Sequence, residues 1–363
     1  MLQFIGRRFG IMLLTALCLT FVVFSLTNLY PNLEKLAKTQ GNFRMSDEQV
    51  ATWLDNRGYT RNMFLKYGEW LGVVPGYVIT GSDEITRARC ARKGTSVEDA
   101  PTYCGILQGD WGFSTVSKEN VSGILMGIPE DETTERKEEK AGRLGLTGFL
   151  MLWSMIVTIP IALLIGVFAG MREGSKTDRS LSTFSIATSA TPEYVSGVVL
   201  IAIFASSAVG LKWFKGSAAQ AMTAPDITNF TLPVLTIALF NIGYIARMTR
   251  ASMAEVMTAQ YIRTARLKGV SFAGIVIKHA LRNALIAPFT IIALQIPYLL
   301  TGVVITETLF NYKGIGWQLV QAAGNNDIEM LLGVSVVSVV IVLISQLVSD
   351  IGYVFLNPRI RLS

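Results

Sequence analysis

The sequence contains little histidine, cysteine and charge for its length. Among its 363 residues there are three cysteines and one histidine, His279. A single histidine leaves no room for a multi-histidine metal site or for a serine–histidine dyad within the membrane. Charged residues make up 16% of the chain, whereas soluble domains usually contain about 25%. The composition is therefore atypical of a soluble protein.

Motifs for nucleotide binding and for serine hydrolysis are also missing. Gly174-Ser-Lys-Thr177 is similar to part of a phosphate-binding loop, but that loop needs a Gly directly before its Lys and another Gly at a fixed earlier position. No other stretch carries an ATP-binding motif, and the sequence has no Gly-x-Ser-x-Gly. We therefore expect no cofactor on this chain and no enzymatic activity of its own.

Apolar residues are abundant and occur in long runs. Hydrophobic residues make up 51% of the chain, and the mean hydropathy is +0.44. Runs that are long enough, or nearly so, to cross a bilayer lie at about residues 9–30, 146–170, 181–208, 230–246, 284–306 and 330–356. The sequence predicts an all-α polytopic membrane protein with six transmembrane helices. Its predicted parts are a first helix (1–30), a soluble segment (31–143) and a five-helix core (144–363).

Basic residues are distributed unevenly among the segments between these runs. Four segments together hold 14 Lys and Arg against 3 Asp and Glu: 1–8, 171–180, 247–282 and 357–363. Residues 31–143 hold 15 basic and 17 acidic residues. Because positively charged segments stay on the cytoplasmic side, we predict a bacterial inner-membrane protein with cytoplasmic termini and a periplasmic 31–143 segment. Charge that follows membrane sides does not indicate nucleic-acid binding, although the net charge is +6.

The 31–143 segment carries its own helix signals. Ser46 with Gln49 three residues later forms a capping signature, and Met63 to Leu71 reads as an amphipathic helix with Phe64, Tyr67 and Leu71 on one face. We therefore expect a small α-rich domain here.

Two of the three cysteines, Cys90 and Cys104, also lie in this segment. A disulfide between them would suit an oxidising periplasm. Residues 129–143 are rich in Glu and Lys and are typical of a solvated helix or tail. The third cysteine, Cys18, lies within the first apolar run and is expected to act as a small apolar residue.

The stretch 247–282 is the most informative part of the chain. Residues 251–267 contain no Pro or Gly, and Gly269 follows a Lys, which predicts one helix that ends there. We expect a shared helix face, then a glycine turn and a second helix that leads back into the membrane. The residues of the expected face are Met253, Val256 (or Met257), Gln260 and Thr264. An ordinary positively charged loop would explain the charge but not this order of residues.

The sequence Arg263-Thr-Ala-Arg-Leu-Lys-Gly269 resembles the EAA-type loop of ABC-importer permeases, with Ala-x-x-x-Gly kept. Together with His279-Ala-Leu-Arg-Asn-Ala284 it is most similar to the dipeptide and oligopeptide permeases. Arg263 stands where the loop usually has Glu, and this replacement is common in those permeases. The resemblance implies the ABC type I importer permease fold. It also implies that the loop contacts the ATPase through Tyr261, Arg263, Thr264, Ala265, Arg266, Lys268, Gly269, His279 and Arg282.

The resemblance extends over residues 145–361, with matches outside that range. Gly109–Ser114 is similar to a turn in the family's first extracytoplasmic loop, and Glu307–Gly316 to its Glu-Thr-x-Phe-x-x-Pro-Gly-x-Gly, although Lys313 replaces Pro. Asn357-Pro-Arg-Ile-Arg361 resembles its Asp-Pro-Arg-x-Arg end. The enlarged 31–143 segment is similar to that of the Yej-type importers of oligopeptides and of peptide–nucleotide antibiotics such as microcin C.

The resemblance implies a permease subunit that forms half of a peptide translocation pathway and receives the ATPase movement through residues 251–282. The implied partners are a homologous second permease in a heterodimer, ABC ATPase subunits or one fused two-domain ATPase, a periplasmic peptide-binding protein, the peptide and membrane lipid. ATP and Mg would be bound by the ATPase partners.

Two carboxylates are candidates for the pathway, Glu193 and Glu307. Glu193 follows Ser180 by thirteen residues, so in a straight helix it would lie near the middle of the bilayer, where an acid normally faces a cavity or a cation. An acid that is protonated or paired between helices is an equally good interpretation of Glu193.

The sequence is compared with two other functions, an ion-coupled secondary transporter and an intramembrane hydrolase. An ion-coupled secondary transporter would need intramembrane relays and internal repeats, but the sequence has one mid-span acid and no repeat. An intramembrane hydrolase is opposed by the lone His279 and by the missing nucleophile motif.

Overall fold

The structure is a computed structural model that describes residues 2–91, 96–127, 142–207 and 210–356. The helices are α1 Leu2–Thr27, α2 Tyr30–Gln40, α3 Asp47–Asp55, α4 Met63–Leu71, α5 Val121–Met126, α6 Arg143–Gly170, α7 Lys176–Ala190, α8 Glu193–Phe204, α9 Ile227–Met257, α10 Gln260–Leu267, α11 Phe272–Gly274, α12 Leu281–Ala284, α13 Ile286–Leu309, α14 Ile315–Gly324 and α15 Ile328–Leu356. Strands β1 (Val78–Thr80) and β2 (Thr86–Ala88) form an antiparallel hairpin. The expectations for residues 129–141 and 357–361 lie outside the described residues.

Four of the described helices are long and apolar enough to cross a membrane: Gly6–Thr27 within α1, α6, α9 and Ile328–Ile351 within α15. Two bent pairs pass the same test when each pair is taken together. These are α7 with α8, and Phe272–Ala284 with Ile286–Leu300. The described part of the chain therefore holds four spans, or six if each bent pair is one span. The all-α polytopic fold predicted from the sequence is confirmed.

The run predicted as the third span, at about 181–208, is not one straight helix. Helix α7 ends at Ala190, α8 begins at Glu193, and the two helices meet at an angle of 105°. Thr191 at the break has an extended backbone, with φ −82° and ψ 123°. The ring of Pro192 disfavours helical geometry in the residue before it, which explains the break. The depth of Glu193 can therefore not be counted as thirteen rises of one straight helix.

One compact unit consists of residues 145–317 together with the described parts of both chain ends, 2–4 and 341–356. Helix α9 is its central element and packs against α7, α8 and α13. Glycines allow close approach to α9: a Cβ on Gly243 of α9 would overlap the carbonyl oxygen of Ser185 on α7, and a Cβ on Gly166 of α6 would overlap Thr249 of α9. The packing around α9 therefore depends on positions without a side chain.

The other compact unit consists of Ile5–Leu144 and Gln318–Val340. Its apolar core joins residues of α1 to α4 with the first turns of α15, including Phe24, Leu36, Leu54, Trp70 and Leu332. The predicted capping box is confirmed, because Ser46 and Gln49 bond reciprocally at the start of α3. The predicted helix Met63–Leu71 is also present as α4. Of its expected face, Tyr67 and Leu71 pack against the core, whereas Phe64 is exposed.

Polar contacts fix the loops of this second unit. Ser114 Oγ donates to Asp327 Oδ2 at 2.5 Å, and Asn326 Nδ2 donates to the carbonyl oxygen of Asn32 at 2.8 Å. In the turn between β1 and β2, Arg87 Nη1 donates to Asp83 Oδ1 at 2.9 Å. This hydrogen-bonded guanidinium lowers the pKa of the Asp83 carboxyl to about 2.

Cys90 and Cys104 form a disulfide in the structure, and Gly76 packs against the Cys90 sulfur. A backbone hydrogen bond lies beside the bridge: Gly76 N–H donates to the carbonyl oxygen of Thr102 at 2.9 Å. Cys18 is a free cysteine exposed on α1.

Candidate functional site

The 247–282 loop begins with the end of α9 and contains a break that was not predicted. Helix α9 ends at Met257 and α10 begins at Gln260, so the single helix expected over 251–267 is wrong. Thr258 Oγ1 donates to the carbonyl oxygen of Glu255 at 2.7 Å, and Ala259 has an extended backbone. A Thr side chain that bonds locally to the backbone competes with helix continuation, which explains the interruption.

The break also changes which side chains face inward. Met253 is buried, but Gln260 and Thr264, which were predicted to share its face, are exposed. Ile262 and Ala265 of α10 are buried in their place and pack into one cluster with Met253. A face predicted across an interrupted helix is wrong beyond the interruption, because the periodicity starts again there.

Gly269 ends α10, as predicted. Its φ is +77°, and nothing lies within 4 Å of the position that a Cβ would take. Gly269 N–H donates to the carbonyl oxygen of Arg266 at 3.0 Å, and Val270 N–H donates to that of Ala265 at 3.2 Å. Glycine is therefore favoured here by backbone conformation and not by lack of space.

The return toward the membrane is not one regular helix. The single turn α11 is followed by a π-helical segment, Ile275–Ala280, and then by α12. Ile275, Val276 and Ala280 are buried against the cluster of Met253 and Ile262. Wide π turns are rare and occur frequently at functional sites. The sequence predicted a helix here but gave no signal for its wider turns.

Specific polar contacts connect the 247–282 loop to α7 and to α12. Arg250 makes a two-pronged contact with Asp178: its Nε donates to Oδ1 at 3.0 Å and its Nη2 to Oδ2 at 2.8 Å. Ser252 Oγ donates to the carbonyl oxygen of Ala284 at 2.9 Å. Asn283 Nδ2 donates to Tyr261 Oη at 2.9 Å. These contacts tie the start and end of the loop together.

The outer face of the loop combines positive charge with apolar side chains. The buried pair Ile262 and Ala265 directs the rest of α10 outward. Of the residues predicted to contact the ATPase, Ala265 is buried and the others are exposed. The exposed ones are Tyr261, Arg263, Thr264, Arg266, Lys268, Gly269, His279 and Arg282. Leu267 is 81% exposed and Ile277 is also exposed. The exposure of these two residues could not be predicted, because an isolated apolar residue in a loop carries no signal of exposure.

Glu193 lies at the first position of α8, and its side chain is half-buried. A Cβ on Gly302 of α13 would overlap the Glu193 carboxylate, so the two positions are in close contact. The described part of the chain offers this carboxylate no hydrogen bond and no ion pair.

Glu307 lies near the end of α13 and has no exposed surface. Thr147 Oγ1 donates to its Oε1 at 2.6 Å, and Trp317 N–H donates to its Oε2 at 3.0 Å. In this conformation the carboxylate holds protein groups and is closed to a peptide. Among the described residues, no group of three or more His, Cys, Asp or Glu side chains could hold a metal ion.

Comparisons with known proteins agree with this architecture. Residues 162–362 match the family described as "Binding-protein-dependent transport system inner membrane component". The chain is 28% identical to the di/tripeptide transport system permease protein DppB of Pseudomonas aeruginosa, over 99% of both chains. It is 32% identical to the oligopeptide transport system permease protein AppB of Bacillus subtilis, over 70% of this chain and 77% of AppB. It is 34% identical to the glutathione transport system permease protein GsiC of Salmonella choleraesuis, over 70% of this chain and 76% of GsiC.

The family match covers more than half of the chain and includes the 247–282 loop, both candidate carboxylates and the helices α7 to α15. The relatives are all permease components of peptide or glutathione transport systems. The chain belongs to the family of binding-protein-dependent transport system inner membrane components and is a multi-pass permease of the ABC importer type.

Proposed function

We propose that this chain is one transmembrane subunit of an ATP-driven importer of oligopeptides, and that its 247–282 loop receives the movement of ATPase subunits. In this proposal the loop and both termini are cytoplasmic and the 31–143 segment is periplasmic. The relatives transport di- and tripeptides, oligopeptides or glutathione according to their names. Peptide–nucleotide antibiotics of the microcin C type belong to the proposed substrate range because of the enlarged 31–143 segment.

The observation that carries the proposal is the exposed face of α10. The helix is anchored by Ile262 and Ala265, while Arg263, Arg266 and Leu267 point away from the chain. An ordered, exposed surface that combines charge with a large apolar side chain is typical of a protein interface. The proposed partners are ATPase subunits, or one fused ATPase, which also bind ATP and Mg. A homologous second permease and a peptide-binding protein complete the complex.

Glu193 is proposed to line the pathway. Its carboxylate faces Gly302 across α8 and α13 and has no partner among the described residues. An unpaired carboxylate within a membrane region normally meets a cation or a cavity, and a peptide carries a positively charged amino terminus. Replacement of Glu193 by Gln, which keeps the size of the side chain, should therefore weaken peptide uptake without loss of assembly.

The exposed side chain of Leu267 provides a test of whether the outer face of α10 contacts the ATPase. Leu267 is 81% exposed and Leu107, in the other unit, is 68% exposed, so an Asp at either position should leave folding intact. Leu267→Asp should reduce both co-purification of the ATPase subunits with the tagged chain and ATP-dependent peptide uptake by membrane vesicles. Leu107→Asp should retain both. Equal uptake by the two variants would contradict the proposed coupling, and uptake without ATP would favour an ion-coupled transporter.

A further inference from the structure

The charged residues of α4 face inward and its large apolar residues face outward, which is the reverse of a helix on the surface of a soluble domain. Its charged residues Lys66 and Glu69 are only 8% and 3% exposed, whereas Phe64 and Leu65 are 70% and 49% exposed. Charged side chains of soluble proteins are almost never buried unless they are paired, and adjacent large apolar side chains are seldom exposed together. Helix α4 therefore turns its charges toward the protein and its apolar residues away from it.

Both buried charges of α4 have partners. Lys66 Nζ donates to the carbonyl oxygen of Tyr59 at 2.8 Å and to Asn28 Oδ1 at 3.3 Å. Glu69 forms an ion pair with Arg61. The inward charges are thus satisfied within the same unit, and the exposed residues of α4 itself are Phe64 and Leu65, next to its exposed N-cap Asn62.

The position of α4 along α1 fixes the surroundings of this apolar face. Tyr67 Oη donates to the carbonyl oxygen of Leu17 at 3.0 Å and bonds to Thr20 Oγ1 at 2.8 Å. The ring of Phe64 stacks on Phe21 with centroids 5.2 Å apart. All three contacted residues of α1 lie inside the candidate span Gly6–Thr27. Leu17 precedes the end of this span by ten residues, which corresponds to about 15 Å along the helix axis.

We infer that α4 is embedded in one leaflet of the bilayer beside α1, and that Phe64 and Leu65 contact the acyl chains of lipid. The leaflet is the one opposite Arg7 and Arg8, because α4 packs on the second half of α1. The Lys66 ammonium reaches Asn28, the residue after the end of α1, as expected for a lysine that extends from the apolar region toward the membrane surface. This inference extends the membrane contact beyond the spanning helices and does not depend on the substrate or on ATP.

Site-directed spin labelling tests the inference on the full-length chain. In a Cys18→Ala background, a nitroxide is attached at Leu65→Cys, because Leu65 takes no part in the ring stacking of Phe64. Ile85→Cys on the β-hairpin provides a matched label at a residue that is 54% exposed, and Leu14→Cys on α1 provides a label inside the span. Cys90 and Cys104 are bonded to each other and do not react. The purified chain is reconstituted in vesicles of phosphatidylethanolamine and phosphatidylglycerol.

Collision rates with oxygen, which concentrates in the bilayer, and with a water-soluble nickel chelate then report the surroundings of each label. The oxygen-to-nickel ratio at position 65 should exceed that at position 85 several-fold and approach that at position 14. A ratio equal to that at position 85 would place α4 in water and overturn the inference. Low collision rates with both reagents would mean that another protein surface covers α4, and would overturn it as well.

Discussion

Thr147 and Glu307 form a hydrogen bond of 2.6 Å that joins α6 to the end of α13. The Thr147 oxygen also accepts the N–H of Ile315 at 2.8 Å, and the second Glu307 oxygen accepts the N–H of Trp317 at 3.0 Å. The first N–H groups of a helix have no partner within that helix. The two side chains therefore satisfy the start of α14 and fix the connection that leads to it.

The buried carboxylate should consequently stabilise the fold. Replacement of Glu307 by Ala leaves the Thr147 hydroxyl and the Trp317 N–H without their acceptor, and we expect a loss of about 2–4 kcal/mol in the free energy of unfolding. Glu255→Ala, at an exposed acid of α9, should change it by less than about 0.5 kcal/mol. Thermal unfolding of the purified chain in detergent measures both. Equal unfolding midpoints for the two variants would show that Glu307 does not anchor α14.

The two acidic partners of Arg250 should differ in importance. Asp178 is buried and receives two hydrogen bonds from Arg250, whereas Glu173 is more than half exposed and lies 3.4 Å from the guanidinium. We expect Asp178→Asn to destabilise the chain by about 3 kcal/mol, because it leaves a charge partly buried without its partner. Glu173→Gln should have an effect of at most about 1 kcal/mol. The comparison uses the same unfolding measurement, and a larger effect of Glu173→Gln would contradict the prediction.

Gly269→Val should separate ATP hydrolysis from peptide uptake. A β-branched residue with φ near +77° is strained by about 1 kcal/mol or more, so the exit from α10 should change direction. Gly109 has φ +81° and equally open surroundings, but it lies in the other unit. Gly109→Val should therefore introduce a similar backbone strain but leave ATP hydrolysis coupled to peptide uptake. The measurement is the ratio of peptide taken up to ATP hydrolysed. A normal ratio in Gly269→Val would show that the loop does not couple ATP hydrolysis to peptide uptake.

We expect the Cys90–Cys104 bridge in the mature protein as well as in the structure. The bonded cysteines are 14 residues apart in sequence, and closing a loop of this length contributes roughly 3 kcal/mol in the chain-entropy model. Mass spectrometry of unreduced protein, alkylated under denaturing conditions, should find one alkylated cysteine, Cys18. Three alkylated cysteines would contradict this prediction.

We also expect the 31–143 segment to contact the peptide-binding protein, and the β-hairpin provides a test of this contact. Val78 and Ile85 are exposed, and Lys is tolerated on short edge strands. The double variant Val78→Lys, Ile85→Lys should keep basal ATP hydrolysis but weaken its stimulation by peptide-loaded binding protein. Phe43→Lys, at an exposed residue of the segment outside the hairpin, is the control. Unchanged stimulation in the double variant would exclude the hairpin from docking.

Sequence patterns predicted the features that depend on local chemistry. The capping box at Ser46, the bounds of α4 and the glycine that ends α10 follow from neighbouring residues alone. Apolar run length also located the spanning regions, since the bilayer sets that length independently of the fold.

Features that depend on distant residues or on small backbone preferences were missed. The bend at Pro192 was not predicted because prolines inside apolar helices are often tolerated, as Pro160 within α6 shows. The break at Thr258 has no Pro or Gly to mark it. The outward direction of Phe64 and Leu65 depends on where α4 meets α1, and the same amphipathic pattern fits either face. For Glu307, the sequence could not show that Thr147, 160 residues earlier, would occupy its carboxylate.

Helix α9 has 31 residues, so its length is roughly 46 Å, whereas the hydrocarbon layer is about 30 Å thick. The excess amounts to about three turns, and the buried contacts of Thr249, Arg250 and Met253 keep these turns rigid. The bilayer with its headgroup regions is about 40–45 Å thick, so we expect α10 to begin near the outer limit of the headgroups. On the proposed function, we expect the length of α9 to set the level, relative to the membrane surface, at which a partner engages the loop.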